Sequence, residues 1–271
     1  MTDLLKRPKL TLNILVLLLN YLALSLDMLP EKAHIIAQLK KDLQSASDHK
    51  NPTLLSPKND VLGFMEKHFP NSRFPVGVMH EFLCNTQEDI AGTSGFISAL
   101  VSSIFPQKGY MVWISEQKWI FPPALKLFNI EPDQIIFITP SRPKDCLWVI
   151  EESLKCSGLS VVIAEMNGFN FINSRRFQLA VEESNVTGFL LNQHTQPLAS
   201  NACIGRWKIK SLPSEPVDHM PGIGFPRWQV DLQKIRHGKK GIWEVEWNGK
   251  KLLEVLKSGK LYEEELEKKV S

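Results

Sequence analysis

A short apolar run, Val78-Met79-His80-Glu81-Phe82-Leu83, is followed by the segment Ile90–Ile104, whose apolar residues have helical spacing. Four similar apolar runs follow and alternate with further helical segments. Runs that are nearly continuous in apolar residues are typical of strands buried on both faces. The repeated order of strand and helix predicts right-handed crossovers and a mostly parallel sheet flanked by helices, the α/β class.

The predicted elements cover the middle of the chain. The strands predicted for the parallel part are Val78–Leu83, Tyr110–Ser115, Gln134–Thr139, Ser160–Met166 and Val186–Asn192, and the helices are Ile90–Ile104, Pro122–Phe128, Lys144–Ser157 and Ser174–Ser184. Beyond Asn192 the alternation of strand and helix ends. The segments Gly205–Leu212, Pro226–Arg236 and Ile242–Asn248 have the period of strands, and a turn with two glycines joins the last two. We therefore expect antiparallel strands to complete the sheet.

Composition limits the class of protein. The chain has 271 residues, of which 43% are hydrophobic and 23% charged, and its net charge is +3. These values exclude a disordered, a collagen-like or a strongly basic histone-like chain. Its four cysteines lie far apart without a C-x-x-C pair, which argues against a zinc module and against a disulfide-dense secreted scaffold.

The N-terminal segment is apolar. Leu10–Leu26 is a run of 17 residues without charge, preceded by Lys6, Arg7 and Lys9. This run is at the short edge of what a membrane span requires, and its basic flank also fits a signal peptide. A third interpretation is that residues 1–27 are translated upstream sequence and that the working protein begins at Met28. The three interpretations remain open.

The rest of the chain divides by composition. Residues 28–50 are predicted to contain an amphipathic helix, with an apolar face available either to a partner or to the core. Residues 51–73 read as a linker, residues 74–248 as the α/β domain, and residues 249–271 as a charged C-terminal tail.

The loop after the first strand is where an open parallel sheet of this type would bind a nucleotide. A P-loop would have the pattern G-x-x-x-x-G-K-[ST], but no lysine occurs between Lys67 and Lys108. Glu88 and Asp89 instead place negative charge where phosphate would lie, and first-turn acids favour the helix dipole. The sequence therefore predicts a degenerate nucleotide loop without ATP hydrolysis, unless a lysine comes from elsewhere in the chain.

Several segments, in this order, resemble the ImuA-type proteins, bacterial accessory factors of mutagenic translesion DNA synthesis that are distantly similar to RecA and SulA. The resembling segments are Gly77–Phe82, Ala91–Phe96, Lys144–Glu152, Ser174–Ala180, Arg206–Ile209, Pro226–Leu232, Arg236–Gly238 and Gly241–Trp247. Each segment is weak evidence alone, but their common order argues against chance. The resemblance covers about residues 30–248 and implies that residues 74–248 form a RecA-like domain.

The resemblance also assigns expected roles. Thr93, Ser94 and Gly95, with Glu88 and Asp89, would form the degenerate nucleotide loop. Glu165 would stand on the magnesium-site strand, and we expect it to be a structural acid. Leu190–Gln193 resembles a RecA strand that ends in Asn-Gln before a DNA-contacting loop, here residues 194–204. No cofactor and no metal are expected.

Residues 205–240 carry eight basic and three acidic residues, a net charge of +5 that exceeds that of the whole chain. Trp207, Phe225 and Trp228 lie among them, and basic grooves with aromatic platforms suit single-stranded DNA. The simpler interpretation is an ordinary half-buried strand with alternating faces. The candidate partner- or DNA-binding residues are Arg175, Arg176, Gln193, Arg206, Lys208, Arg227, Trp228, Arg236, Lys239 and Lys240.

For five residues, a simpler structural explanation stands beside the functional one. Arg175 and Arg176 begin a predicted helix, where basic residues oppose the dipole, so they could anchor a partner or a phosphate, or pair with Glu151 or Glu152. His80 and Glu81 point to opposite faces of a strand and do not form a metal pair. Cys84 is expected to be a buried small apolar residue.

The resemblance implies a non-catalytic adaptor in an SOS-type DNA damage response. Its partners would be an ImuB-like inactive Y-family polymerase relative and an error-prone C-family polymerase alpha subunit, with the RecA filament and single-stranded DNA as further candidates. Such a protein would be cytoplasmic and nucleoid-associated. The alternatives are a SulA-like inhibitor of the division protein FtsZ, a RecA-like ATPase with a degenerate site and a membrane-tethered protein.

Overall fold

The computed structural model describes residues 62–105, 109–117, 120–193, 200–216 and 224–255. These residues form one nine-stranded mixed sheet with helices packed on both faces. The α/β class, the mostly parallel sheet and the C-terminal antiparallel strands predicted from the sequence are confirmed.

The elements follow the predicted order. The strands are β1 (Met79–Cys84), β2 (Tyr110–Ile114), β3 (Ile135–Ile138), β4 (Leu159–Asn167), β5 (Thr187–Gln193), β6 (Gly205–Leu212), β7 (Arg227–Ile235), β8 (Gly241–Trp247) and β9 (Leu252–Glu254). The α-helices are α1 (Gly63–Glu66), α2 (Gln87–Ile104), α3 (Pro143–Leu154) and α4 (Phe171–Ser184), and short 3-10 helices form at Pro70–Ser72, Pro122–Phe128 and Pro132–Gln134.

The sheet has the order β3-β2-β4-β5-β1-β6-β7-β8-β9. The pairs from β3 to β6 are parallel, and the pairs from β6 to β9 are antiparallel. Strand β1 is the middle strand of the nine-stranded sheet and lies between β5 and β6. Because parallel strands place their carboxyl ends at one edge, β1, β4 and β5 all end close to the start of α2.

Two hydrophobic cores lie on opposite faces of the sheet. Successive residues of a strand point to opposite faces, so Phe82 of β1 joins one core while Met79 joins the other. Helices α1 and α2 cover the first face, and α3 and α4 cover the second. Both cores are built from residues of low exposure, as the nearly continuous apolar strands predict.

The predicted linker at residues 51–73 is wrong over its described part. Leu62, Met65 and Phe69 are buried in the first core, so this segment belongs to the domain. The ring of His68 also packs edge-on against Trp243 of β8, with ring centroids 4.8 Å apart. The linker pattern was misleading because a few apolar residues between polar ones are enough for a single turn of helix to dock. The predicted segments 1–27 and 28–50 lie outside the described residues.

The C-terminal boundary of the domain lies further along the chain than predicted. The charged composition of residues 249–271 predicts a tail, whereas Leu252–Glu254 forms β9 and pairs with β8. Leu252 and Leu253 are buried, which gives this short strand an apolar reason to join the sheet. Residues 256–271 lie outside the described part of the chain.

The segment Pro122–Phe128 is a 3-10 helix where an ordinary helical segment was predicted. Two prolines stand at its start, and Asn129 ends it in the left-handed conformation with a φ of 58°. Within the described ranges, no helix combines the length and apolarity that a membrane crossing needs. The apolar run at residues 10–26 lies outside them.

Candidate functional site

The predicted nucleotide loop is the connection between β1 and α2. Only Asn85 and Thr86 separate the two elements. Thr86 caps the helix by accepting a hydrogen bond from the backbone N–H of Asp89 (3.1 Å). In return, the Asp89 carboxylate accepts the backbone N–H groups of Asn85 (2.9 Å) and Thr86 (3.2 Å). This reciprocal arrangement is a capping box.

The capping box determines what this end of the helix can bind. Free N–H groups at a helix N-terminus attract anions, which is how a P-loop holds phosphate. Here the carboxylate of Asp89 already occupies the N–H groups of Asn85 and Thr86. Glu88 is exposed beside it and adds negative charge. The local chemistry therefore disfavours a phosphate at this position.

The other residues assigned to the degenerate loop lie inside α2 and not in a loop. Thr93 is buried and accepts a weak hydrogen bond from the Cys84 thiol. Ser94 is also buried. Gly95 packs so tightly against β7 that an added Cβ would lie 3.3 Å from the Trp228 ring. These three residues are packing residues of the helix.

Glu165 lies at the end of β4 and is buried. Its carboxylate accepts hydrogen bonds from Trp113 Nε1 (2.9 Å) and Ser115 Oγ (2.8 Å). Burial raises the pKa of the Glu165 carboxyl, although both hydrogen bonds oppose that rise. A cavity of about 30 Å³ beside it, which Gln193 also lines, has room for little more than a water molecule. Both oxygens of the Glu165 carboxylate therefore have protein partners.

His80 and Glu81 are both buried and lie on opposite faces of β1, as predicted. On one face, Nε2 of His80 donates to the Pro75 carbonyl (2.8 Å), and Nδ1 accepts from Trp207 Nε1 (3.3 Å). These partners require the neutral ring, because indole can only donate and a carbonyl can only accept. Burial lowers the pKa of His80 to about 4.

On the other face, the Glu81 carboxylate is the centre of a buried polar cluster that sequence reasoning missed. It accepts hydrogen bonds from Asn192 Nδ2 (2.8 Å), Asn201 Nδ2 (2.6 Å) and Arg206 Nε (2.6 Å). Lys234 donates to the carbonyl of Asn201 (3.1 Å). A charged residue within an apolar strand is the signal that could have indicated this cluster.

Three candidate binding residues have internal roles. Arg206 pairs with Glu81 across neighbouring strands. Arg227 forms ion pairs with Glu246 and Glu215. Trp228 is only 3% exposed and packs against Phe96 and Phe128, so it cannot serve as a stacking platform for a base. The same holds for Trp207, which is 1% exposed. The alternative of a half-buried strand therefore describes these aromatic residues correctly.

The remaining basic candidates do not form one surface. Arg236, Lys239 and Lys240 are exposed in the turn between β7 and β8, at the edge opposite the start of α2. Lys208 is half-buried on β6. Arg175 is exposed on α4, and Arg176 pairs with Glu151, which was one of the two predicted explanations for it.

The four cysteines are free. Cys84 is buried as predicted, and burial raises the pKa of its thiol to about 12, as it does for Cys146 and Cys203. Within the part of the chain that the structure describes, no group of three or more histidine, cysteine or acidic side chains is placed to hold a metal ion.

The comparisons with known proteins address the family. No family model matches the chain. It is 28% identical over 189 residues to a protein named Protein ImuA from two strains of Caulobacter vibrioides. The matched region covers 65% of this chain and 77% of the relative. The chain is therefore similar to Protein ImuA, and its sequence motifs had indicated a resemblance of the same kind.

Proposed function

We propose that this protein is a non-catalytic adaptor of the DNA damage response that supports error-prone translesion DNA synthesis. The similarity to Protein ImuA suggests a role in that response. The adaptor would recruit an ImuB-like inactive Y-family polymerase relative and an error-prone C-family polymerase alpha subunit. It would raise their effective concentration at a stalled primer end, with the RecA filament as a further partner. We also propose that it acts in the cytoplasm, associated with the nucleoid.

The single observation that carries the non-catalytic part of the proposal is the capping box at the start of α2. A connection of two residues is too short to wrap a phosphate group, and the Asp89 carboxylate takes up both N–H groups of that connection, those of Asn85 and Thr86. On the magnesium-site strand, the Glu165 carboxylate is already hydrogen-bonded to Trp113 and Ser115. We therefore propose that the side chains of this protein block the position where a RecA-like protein would bind its nucleotide.

Isothermal titration of the full-length chain with ATP and Mg²⁺ tests this part. We expect no binding with a dissociation constant below about 1 mM. That constant corresponds to a standard free energy of binding of roughly −4 kcal/mol. Asp89→Gly provides a matched variant, because it removes the carboxylate while leaving the two-residue connection. Micromolar binding of ATP by the unaltered protein would contradict the proposal and favour a RecA-like ATPase.

Co-purification tests the adaptor part. The tagged full-length chain is mixed with purified ImuB-like protein, the C-family alpha subunit and FtsZ in separate experiments. We expect the first two to be retained and FtsZ to pass through. Retention of FtsZ without either polymerase protein would overturn the proposal in favour of a SulA-like inhibitor.

The proposal that the protein binds single-stranded DNA directly rests on the exposed basic turn between β7 and β8. We propose that Arg236, Lys239 and Lys240 contact the phosphate backbone, and that Arg206 and Arg227, which are held in ion pairs, do not. Fluorescence anisotropy with a labelled oligonucleotide tests this. Combined alanine substitution of the three residues should weaken binding and reduce its salt dependence. Unchanged binding would exclude this turn as the DNA-binding surface.

A further inference from the structure

The outer face of α4 leaves large apolar side chains in water. Ile172 is 69% exposed and Leu179 is 44% exposed, and a separation of seven residues places them on one side of the helix. Phe171 is exposed beside Ile172. The opposite side of α4 faces the second core, through Phe177 and Val181. The outer face is therefore an apolar stripe that the described part of the chain leaves uncovered.

The charges of α4 are arranged about Leu179 with opposite signs. Arg175 and Arg176 lie four and three residues before it, and Glu182 and Glu183 lie three and four residues after it. This order opposes the helix macrodipole, which favours acids near the N-terminus and bases near the C-terminus. The arginines and glutamates are also too far apart for the contacts between residues three or four apart that stabilise a single helix. The pattern therefore does not serve the stability of α4 itself.

Two of these four charges have partners within the chain. Arg176 forms an ion pair with Glu151 of α3, and Glu182 accepts a hydrogen bond from Gln178 Nε2 (3.1 Å). The side chains of Arg175 and Glu183 are exposed and form no ion pair with another described residue. One base and one acid therefore remain unpaired, at equal distances on either side of an exposed leucine.

We propose that the outer face of α4 binds a second copy of this chain, in a two-fold symmetric pair of antiparallel helices centred on Leu179. In such a pair, residues at equal distances before and after the central residue face each other. Arg175 would then meet Glu183 of the partner subunit, and the same contact would form a second time by symmetry. Arg175, Leu179 and Glu183 are spaced by four residues, and such rows form the ridges along which helices pack.

The charge pattern selects the occupant, because the surface is complementary to itself. Helix α4 has 14 residues and is about 21 Å long. One helix from each copy gives a contact at the small end of specific interfaces, so we expect a weak dimer with a dissociation constant on the order of micromolar. The inference goes beyond the adaptor function proposed above and does not depend on it. A dimer would carry two copies of every partner-binding surface.

The first experiment measures the oligomeric state of the full-length chain by sedimentation equilibrium, at concentrations up to about 100 μM. We expect Arg175→Glu and Glu183→Arg each to raise the dissociation constant of the dimer about tenfold, because each places like charges opposite one another twice. Both substitutions agree with the helix dipole, so the monomer should stay folded, and circular dichroism checks this. Arg236→Glu changes an exposed arginine outside α4 and should leave the dimer unchanged.

The second experiment mixes the two α4 variants in equal amounts. In the mixed pair one copy carries acids at both positions and the other carries bases, so both contacts are again between opposite charges. We expect the mixture to associate at least as tightly as the unaltered protein, a recovery that damage to the fold could not give. A chain that stays monomeric over this concentration range would overturn the proposal. Equal association of the unaltered protein and Arg175→Glu, or failure of the two variants to associate on mixing, would also overturn it.

Discussion

Arg206 on β6 forms an ion pair with Glu81 on the neighbouring strand β1, with 2.6 Å between Arg206 Nε and Glu81 Oε2. The Glu81 side chain is 2% exposed, and Asn192 and Asn201 satisfy the rest of its carboxylate. The arginine that the sequence offers as a DNA contact is therefore the countercharge of a buried acid. Removing one partner of such a pair leaves an uncompensated buried charge.

We expect Arg206→Ala to lower the free energy of unfolding by about 3–5 kcal/mol, because Glu81 would lose its countercharge. Urea denaturation followed by tryptophan fluorescence measures this change. Arg236→Ala is the matched control, since Arg236 is exposed, and it should alter stability by less than about 0.5 kcal/mol. Equal effects of the two substitutions would contradict the structural role of Arg206.

The capping box predicts a smaller local effect. We expect Thr86→Ala to destabilise the protein by about 1 kcal/mol, because the backbone N–H of Asp89 loses its acceptor. Glu88→Ala is the control, since Glu88 is in the same turn but outside the capping box. Thermal unfolding by circular dichroism would show the difference. If Glu88→Ala cost more than Thr86→Ala, helix capping would not be the main role of this turn.

His80 predicts loss of stability in acid. Its pKa is lowered to about 4 by burial, against an ordinary value of 6.5 in the unfolded chain. Between these values only the unfolded chain takes up the proton, so stability falls as the pH falls from 6.5 to 4, by roughly 3 kcal/mol. Urea denaturation across this pH range measures the loss.

Two variants isolate the contribution of His80. His80→Phe removes the titrating group and should flatten the pH dependence in this range, although it also costs stability by leaving Trp207 Nε1 without its acceptor. His237→Gln changes an exposed histidine and should leave the pH dependence unchanged. A His80→Phe profile as steep as that of the unaltered protein would show that another group is responsible.

Glu165 predicts a pH dependence of the opposite sign. Because burial raises the pKa of its carboxyl, the stabilising contribution of the protonated form is lost as the pH rises through the folded-state pKa. We expect Glu165→Gln to gain stability relative to the unaltered protein as the pH rises through the folded-state pKa of Glu165. Parallel denaturation series at pH 4 and pH 8 measure the difference. If Glu165→Gln were less stable than the unaltered protein at pH 8, the ionised carboxylate would be the favoured form.

Much of the fold could be predicted because the apolar runs are long and regular. Strand β6 begins and ends where its alternation predicts, and α2 differs from its prediction only in its first turn. The short strand β9 and the single turn α1 could not be predicted in this way. Each is held by a few buried side chains, such as Leu252 and Met65, whose packing partners are distant in sequence.

The roles of the site residues depended on contacts that no sequence period records. The order of residues alone shows that a P-loop lysine is missing and that acids stand at the start of α2. It also predicts that Cys84 is buried. Whether a basic or aromatic residue faces solvent or the interior follows from strand pairing. That pairing sets Arg206 beside Glu81 and covers Trp228 with Phe96 and Phe128. Local residue order therefore determined the elements and the absence of a lysine between Lys67 and Lys108. Tertiary packing decides whether a charge or an aromatic ring is buried or left in water, and it sets the free-energy cost of either outcome. Only that packing separated the structural residues from those left exposed for partners.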